Sequence, residues 1–357
     1  MSNKKLILVI GATGAQGIAV IDALLAPSKD GNPSPYSVRA LTRDPKSQRA
    51  RELTAKGIEC VKGSFEDFPA VLAALKGVYG VWANTDGFTV GEAREIYAGM
   101  RIFELAKQIK TVRHYIWSSL DYVTKVANYD PKYQCDHYDA KGRVQEWLER
   151  QETFPNEDGM SWSTVTTAAY MEMLNFPMFG PIKRRSDGTH VFVSPIGNGS
   201  VPMIALADLG FWARFSFDNR AQVSGKELKV ISQYVKWEGP DGLVETFKRI
   251  TGQKAVYVPQ SVEEWMNNFT TTDIPVAADT SEGTTWRKNF TGWWNLFRDD
   301  IIIRDIEWIR SIHPQSFTLE SWMKENNYAG KSDSGVLKAT ADRGYFHGLN
   351  EEAVSKL

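Results

Sequence analysis

Long apolar runs are missing from this chain of 357 residues: none reaches the roughly 18 residues of a membrane span. A membrane partner is therefore not expected. Cysteine is scarce, with only Cys60 and Cys135. Two thiols make no disulfide framework and read as reduced side chains of a cytosolic protein. An excess of either charge is also absent: the formal net charge is -1, so no global field draws the chain to nucleic acid. The one short basic cluster, Lys183-Arg184-Arg185, runs into Ser186-Asp187-Gly188 and reads as a solvated turn. The histidines at 114, 137, 190, 313 and 347 form neither HxxxH nor HExxH, and no Gly-x-Ser-x-Gly elbow occurs. Metalloenzyme and hydrolase chemistry fall away, and no metal site is expected. No internal repeat and no secretory pattern at the N-terminus is visible. The cytoplasm is the expected compartment, with the nucleus open to a regulatory protein.

What is present is alternation. Leu6–Ile10 is a continuous apolar run, as in a strand buried on both faces of a parallel sheet. Ile18, Ile21, Leu24 and Leu25 then repeat at helical spacing. Further strands are expected at 37–42, 57–61, 78–83, 114–117 and 162–166, with helices between them. One helix carries Ala93, Ile96, Tyr97, Met100 and Phe103 on a common face. Another carries Ala140, Val144, Trp147 and Leu148. Strands alternating with helices predict an α/β fold with a parallel sheet and crossover helices. After Thr167 the alternation weakens, prolines recur and tryptophans crowd. The expected division is a nucleotide-binding domain over 1–167 with a return near 226–252, a smaller α+β lobe over 168–330, and a polar tail over 331–357. Residues 228–233 are expected to form one strand and 241–250 one helix.

Gly11, Gly14 and Gly17 stand between the first strand and the first helix. The spacing suits a dinucleotide. One glycine permits the tight turn, one admits the pyrophosphate to the backbone, and one lets helix and strand pack closely. Free N–H groups at the helix start then face the phosphates. Thr13 and Gln16 belong to the same loop. The second strand ends at Thr42-Arg43, where arginine suits a 2′-phosphate and a carboxylate suits the ribose of NAD. Arg43, with Lys46 and Arg49 following, favours NADP(H). A shift of one residue would make Asp44 the acid of an NAD site, although Asp44-Pro45 reads better as the opening of a turn.

Three segments carry a resemblance: Gly11-Ala-Thr-Gly-Ala-Gln-Gly17, Val38-Arg-Ala-Leu-Thr-Arg-Asp-Pro45 and His137-Tyr-Asp-Ala-Lys-Gly142. They resemble NmrA-like proteins, which are atypical relatives of the short-chain dehydrogenases. Softer likeness runs through Tyr170-Met-Glu-Met-Leu174, Val201-Pro-Met203, Asp208-Leu-Gly210 and Phe317-Thr-Leu-Glu-Ser-Trp322, so it spans about residues 5 to 325. The resemblance implies a Rossmann-like, doubly wound parallel sheet with a smaller lobe, and NADP(H) with Arg43 at the 2′-phosphate. It leaves two functions open: a reductase acting on a small aromatic or conjugated molecule, or a sensor of the NADPH/NADP ratio that acts through a protein partner.

In the short-chain enzymes a Tyr-x-x-x-Lys pair holds the ribose and supplies a proton. Here Lys141 fits the lysine, but His137 stands four before it and Tyr138 three before it; both neighbour Lys141 on a helix. Histidine donates protons near neutral pH, or His137 is structural. Lys141 itself holds a ribose or merely lays its stem along apolar surface. Ser118 and Ser119 end the fifth strand, and Asn84 and Thr85 end the fourth, where ligand-facing residues collect. Asp67 is placed near the adenine or at a helix N-terminus, and Tyr170 at the pocket or in aromatic packing. The tryptophans of the C-terminal lobe furnish either a flat pocket or core.

Overall fold

Leu8, Val9 and Ile10 are fully withdrawn from solvent because their strand lies in the middle of a parallel sheet. In this computed structural model, which describes residues 4–28, 30–331 and 348–357, β1 (Lys5–Ile10) pairs in parallel with β2 (Tyr36–Thr42) on one side and β4 (Gly80–Ala83) on the other. Outside β2 lies β3 (Glu59–Lys62). Beyond β4 come β5 (His114–Ser119), β6 (Ser161–Thr166) and the strand Lys226–Lys229. The order is 3-2-1-4-5-6 followed by Lys226–Lys229, all parallel, among the described residues. This is the doubly wound, Rossmann-like arrangement. The chain leaves β1 for one neighbour and later returns for the other, so a crevice opens beyond the ends of β1 and β4.

The helices between these strands in the chain are α1 (Ala15–Leu25), α2 (Gln48–Ala55), α3 (Phe68–Ala74), the short α4 (Gly87–Val90), α5 (Glu92–Gln108), α6 (Val123–Val126) and α7 (Asp136–Leu148). One face of the sheet packs on a core of Val71, Ile102, Phe103, Tyr115, Trp117, Val144 and Leu148. α5 differs from expectation. Ala93 and Tyr97 face solvent, and the buried stripe is Glu95, Ala98, Gly99, Ile102, Phe103 and Ala106. The reason is Gly99: a Cβ there would lie 2.8 Å from Val144 Cγ2 and 2.9 Å from Trp117 Cη2, so this face of α5 lies tightly against α7 and β5. The strand expected over 228–233 is two strands, Lys226–Lys229 in the large sheet and Gln233–Val235 in another.

The chain divides into two units. The first holds 1–122, 137–167 and 209–230, and the second holds 123–136, 168–208 and 231–357. This division gives 209–230 to the first unit and 123–136 to the second. There, Gly292 of the helix Trp286–Arg298 lies so close to the Gln134 carbonyl that a Cβ would stand 2.0 Å from it, and Asn295 donates to the Lys132 carbonyl at 3.0 Å.

The second unit has two small sheets among the described residues, Gln233–Val235 with Val201–Ile204 and Ala169–Tyr170, and Ala255–Pro259 with His190–Ser194 and Lys183–Arg184. The softer segments of the resemblance meet here. Glu172 accepts from Leu206 N at 3.1 Å and from Trp322 Nε1 at 3.1 Å, and Asp208 accepts from His313 at 2.8 Å and Phe317 N at 2.9 Å. Most of the tail 331–357 lies outside the described residues. No helix among the described residues is long and apolar enough to cross a membrane, and no group of three or more potential metal ligands occurs among them.

Candidate functional site

The turn after β1 is built without side chains because there is no room for them. Gly11 has φ +79°, and a Cβ on it would stand 2.8 Å from the Asn84 carbonyl oxygen. Gly17 touches the turn from the other side: its Cβ would lie 2.2 Å from Gly11 O and 2.7 Å from Ala12 Cα. Gly17 is therefore the glycine that lets α1 press on the loop. Gly14 is different. Its nearest obstruction is Gly11 O at 3.2 Å, so the space over it is comparatively open. Gly14 is also the N-cap of α1, with no side-chain cap and no acidic residue in the first turn. The positive end of the helix is thus left for an anion. Thr13 is buried, its carbonyl accepting from Arg49 Nη1 at 3.0 Å. Gln16 is buried too, and its Oε1 accepts from Trp82 Nε1 at 3.3 Å; that oxygen holds helix to sheet.

At the tip of β2, Arg43 is exposed, and its guanidinium makes no hydrogen bond or ion pair with the described residues. Asp44, by contrast, is spent on its own turn. Its Oδ1 accepts from Lys46 N at 2.8 Å and its carbonyl from Ser47 Oγ at 2.9 Å, with Ser47 capping α2. The cation is available and the carboxylate is engaged, which suits a phosphate better than a ribose diol.

The other half of the site lies past β4. Lys141 is 9% exposed and Glu95 is fully buried, with Lys141 Nζ 3.1 Å from Glu95 Oε1. The same ammonium donates to the Thr85 carbonyl at 3.0 Å and to Asn84 Oδ1 at 3.1 Å, with Thr85 Oγ1 at 3.2 Å. Thr85 Oγ1 in turn donates to Glu95 Oε1 at 2.6 Å. The Trp117 ring lies beneath, 5.2 Å from Nζ. Lys141 reaches this place because Gly142 lets α7 lie against Tyr122, whose backbone N a Cβ would meet at 2.4 Å. Glu95 was not foreseen from sequence. The available signal was its position: residues 95, 98, 99, 102 and 106 form an i, i+3/i+4 stripe in which Glu95 is the only charge.

The structure therefore brings together Asn84, Thr85 and Lys141 around Nζ, and Gly11 against Asn84. Ser118 and Ser119 part company by strand alternation. Ser119 Oγ donates to the carbonyls of Leu120 at 3.1 Å and Lys141 at 3.3 Å, whereas Ser118 Oγ is buried with no hydrogen-bond partner among the described residues. His137 is half-buried and its ring lies tilted against Phe88, centroids 4.7 Å apart, while Tyr138 is buried edge-on to His137 at 5.0 Å. Phe88 is 42% exposed. Asp67 caps α3, its Oδ1 accepting from Ala70 N at 3.1 Å. Tyr170 belongs to the second unit, where it is half-buried and leads into the turn Met171–Asn175.

Two other regions are set aside. A hollow of about 440 Å³ lined by Tyr79, Thr111, Arg113, Glu157 and Arg220 lies beside the starting ends of β4 and β5, where Arg220 is already bound to the carbonyls of Phe154, Asn156 and Gly159. Six tryptophans of the second unit are core: Trp237, Trp265, Trp286, Trp293, Trp294 and Trp322 are all buried, with Phe179 stacked on Trp293 at 5.4 Å, while Trp308 is half-buried. The flat tryptophan pocket is not formed by these side chains.

Comparison with known proteins agrees with this geometry. The sequence model of the NmrA-like family matches residues 3–322. An NmrA-like family domain-containing oxidoreductase, hkm9 of Aspergillus hancockii, is 30% identical over 294 residues, covering 78% of this chain and 81% of the relative. Among solved structures, NmrA, a negative transcriptional regulator, in complex with NADP is similar in fold at 18% identity and TM-score 0.67, covering 90% of this chain and 95% of that one. The NADPH-dependent quinone oxidoreductase QOR2 of Escherichia coli, complexed with NADPH, follows at 17% identity and TM-score 0.64, covering 90% and 99%.

Proposed function

The chain belongs to the NmrA-like family, and on that premise we propose that it is an oxidoreductase that binds NADP(H) and moves hydride between the nicotinamide and a small planar substrate, aromatic or conjugated. One observation carries the reading: a loop with no room for side chains after β1 abuts Asn84 at the end of β4, whose amide in turn receives Lys141. Such an edge, at the point where the strand order reverses, suits an extended dinucleotide. The residues fit one: a cradle that a Cβ would fill at Gly11 and Gly17, an uncommitted Arg43, and an orphaned Ser118 hydroxyl.

When bound, the nicotinamide would supply or accept the hydride. The protein's own part is placement. Gly14 and the start of α1 hold the pyrophosphate, Arg43 the 2′-phosphate, and Lys141 the nicotinamide ribose. Phe88 and His137 present a solvent-facing aromatic surface beside the lysine helix, and this favours a flat substrate. His137 is positioned to hold or give a proton at its ring nitrogens; an activated acceptor such as a quinone or iminium needs none from it.

The test is turnover. Purified protein is mixed with NADPH and quinones, imines and enals, and nicotinamide absorbance is followed. Oxidation with at least one class, lost in Gly14→Val, is the expected result. Tight NADPH binding with no oxidation by any class would favour the second reading, a sensor acting through a protein partner. One feature favours that alternative: a histidine packed on Phe88 stands where the short-chain enzymes carry their tyrosine.

A further inference from the structure

We propose that Glu95 is the positioning residue of this site: it is the buried counter-charge that holds Lys141 in place, and the ribose gains the lysine by displacing the Asn84 amide. The inference rests on the reading of Lys141 as a ribose ligand. An ammonium has three N–H bonds. Here they meet Glu95 Oε1, the Thr85 carbonyl and Asn84 Oδ1 at 3.0–3.1 Å, so none is spare. Of these partners, the Thr85 carbonyl is backbone and Glu95 is a fully buried carboxylate, whereas the contact with Asn84 is the only one of the lysine's hydrogen bonds that is partly open. Asn84 is therefore the partner that a ribose hydroxyl can replace at least cost, and Glu95 is the partner that stays.

Glu95 is held for this task. Thr85 Oγ1 donates to the same Oε1 that faces Lys141, while Oε2 is buried without a hydrogen bond among the described residues. Gly87 leaves the space for it: a Cβ at that position would stand 2.3 Å from Oε2. A buried carboxylate with one idle oxygen is expensive unless a cation compensates it. Lys141 Nζ, 3.1 Å from Oε1, is the cation that compensates it. Of the other charged groups near this end of α5 and α7, Glu92 of α5 pairs with Arg143 of α7, Asp86 caps α4, and His137 and Asp139 lie on α7 itself. Glu95, 3.1 Å from Nζ, is the counter-charge of Lys141.

The experiment reads Lys141 directly. Competitive acetylation of the full chain across pH 6–10, followed by peptide mass spectrometry, reports the fraction of Lys141 that is unprotonated without any cofactor. NADPH affinity by calorimetry over the same range supplies the second readout. In the wild type, Lys141 should resist acetylation near neutral pH and affinity should be flat. In Glu95→Gln, the buried ammonium loses its counter-charge, and acetylation at pH 7.5 should rise by about tenfold or more, with NADPH affinity falling as pH rises. Glu95→Asp should recover part of both. Gly87→Ala, which changes no charge but intrudes on Oε2, should shift both readouts in the same direction, and it carries the test should Glu95→Gln fail to fold. Unchanged acetylation and a flat affinity profile in the variants would overturn the proposal. If acetylation shifts as expected but the wild type binds no dinucleotide, the pairing stands and the function proposed above fails.

Discussion

The two halves of the site are made in opposite ways. The glycine loop is backbone: Gly11, Gly14 and Gly17 work by the space they leave, and all lie within seven consecutive residues. The lysine half is side chain: Asn84, Thr85, Glu95 and Lys141 come from three places in the chain and meet only because α5 and α7 close on each other at Gly99 and Val144. A site built of backbone depends on local conformation and tolerates change elsewhere. A site built of buried charges depends on the packing of two helices, and its failure is a failure of stability as well as of binding.

The largest effect should follow from breaking the charged half. Lys141→Met leaves Glu95 buried without its cation, and losing one partner of such a pair costs about 3–5 kcal/mol. Urea denaturation should show this loss, and the double variant Lys141→Met/Glu95→Leu should restore a good part of it. Equal stability of Lys141→Met and wild type would erase the contrast.

Breaking the backbone half separates two glycines. Gly17→Ala places a Cβ 2.2 Å from Gly11 O, which should cost roughly 3 kcal/mol, the upper end for overpacking. Gly14→Val meets no comparable obstruction. It should melt close to the wild type while failing to bind dinucleotide, as checked by thermal melting and calorimetry on the same samples.

Acid should act on neither half first. His114, at the start of β5, is fully buried between Ser161 Oγ at 2.8 Å and Ser163 Oγ at 3.0 Å. Burial, and then the charge of Arg220, lower its pKa from 6.5 to about 3. Below pH 6.5 the unfolded chain takes up a proton that the folded chain refuses, so stability falls as pH falls from there towards 3. Between pH 7.5 and 5 the loss is about 2 kcal/mol. Chemical denaturation at both pH values should show it, and His114→Gln should flatten the difference.

These contrasts also explain what the sequence disclosed. The parallel sheet was legible because each central strand is a short apolar run, and the loop because glycine spacing is local. Lys141 was legible through the motif around it, and the Asp44 turn through Asp-Pro. Glu95 was not, because Ala93, Ile96, Tyr97 and Met100 offered a more apolar face of α5 than the one that is buried. The choice between faces is made by Gly99 meeting Val144 and Trp117, a tertiary contact that periodicity does not contain. The split of 228–233 has the same origin: Val230 and Ile231 are buried on leaving the large sheet, and an apolar stretch reads alike whether it stays or leaves. The tryptophans left both readings open, since large flat side chains serve a core as well as a pocket.

The central claim is that the uncommitted Arg43 reads a 2′-phosphate beside the glycine loop. Calorimetric titration of the wild type and Arg43→Ala with NADPH and NADH tests it directly. The wild type should prefer NADPH, and Arg43→Ala should weaken NADPH by about 1.5–3 kcal/mol, the worth of a hydrogen bond to a charged group, while NADH changes little. Equal loss for both cofactors, or a wild type that prefers NADH, would contradict the account.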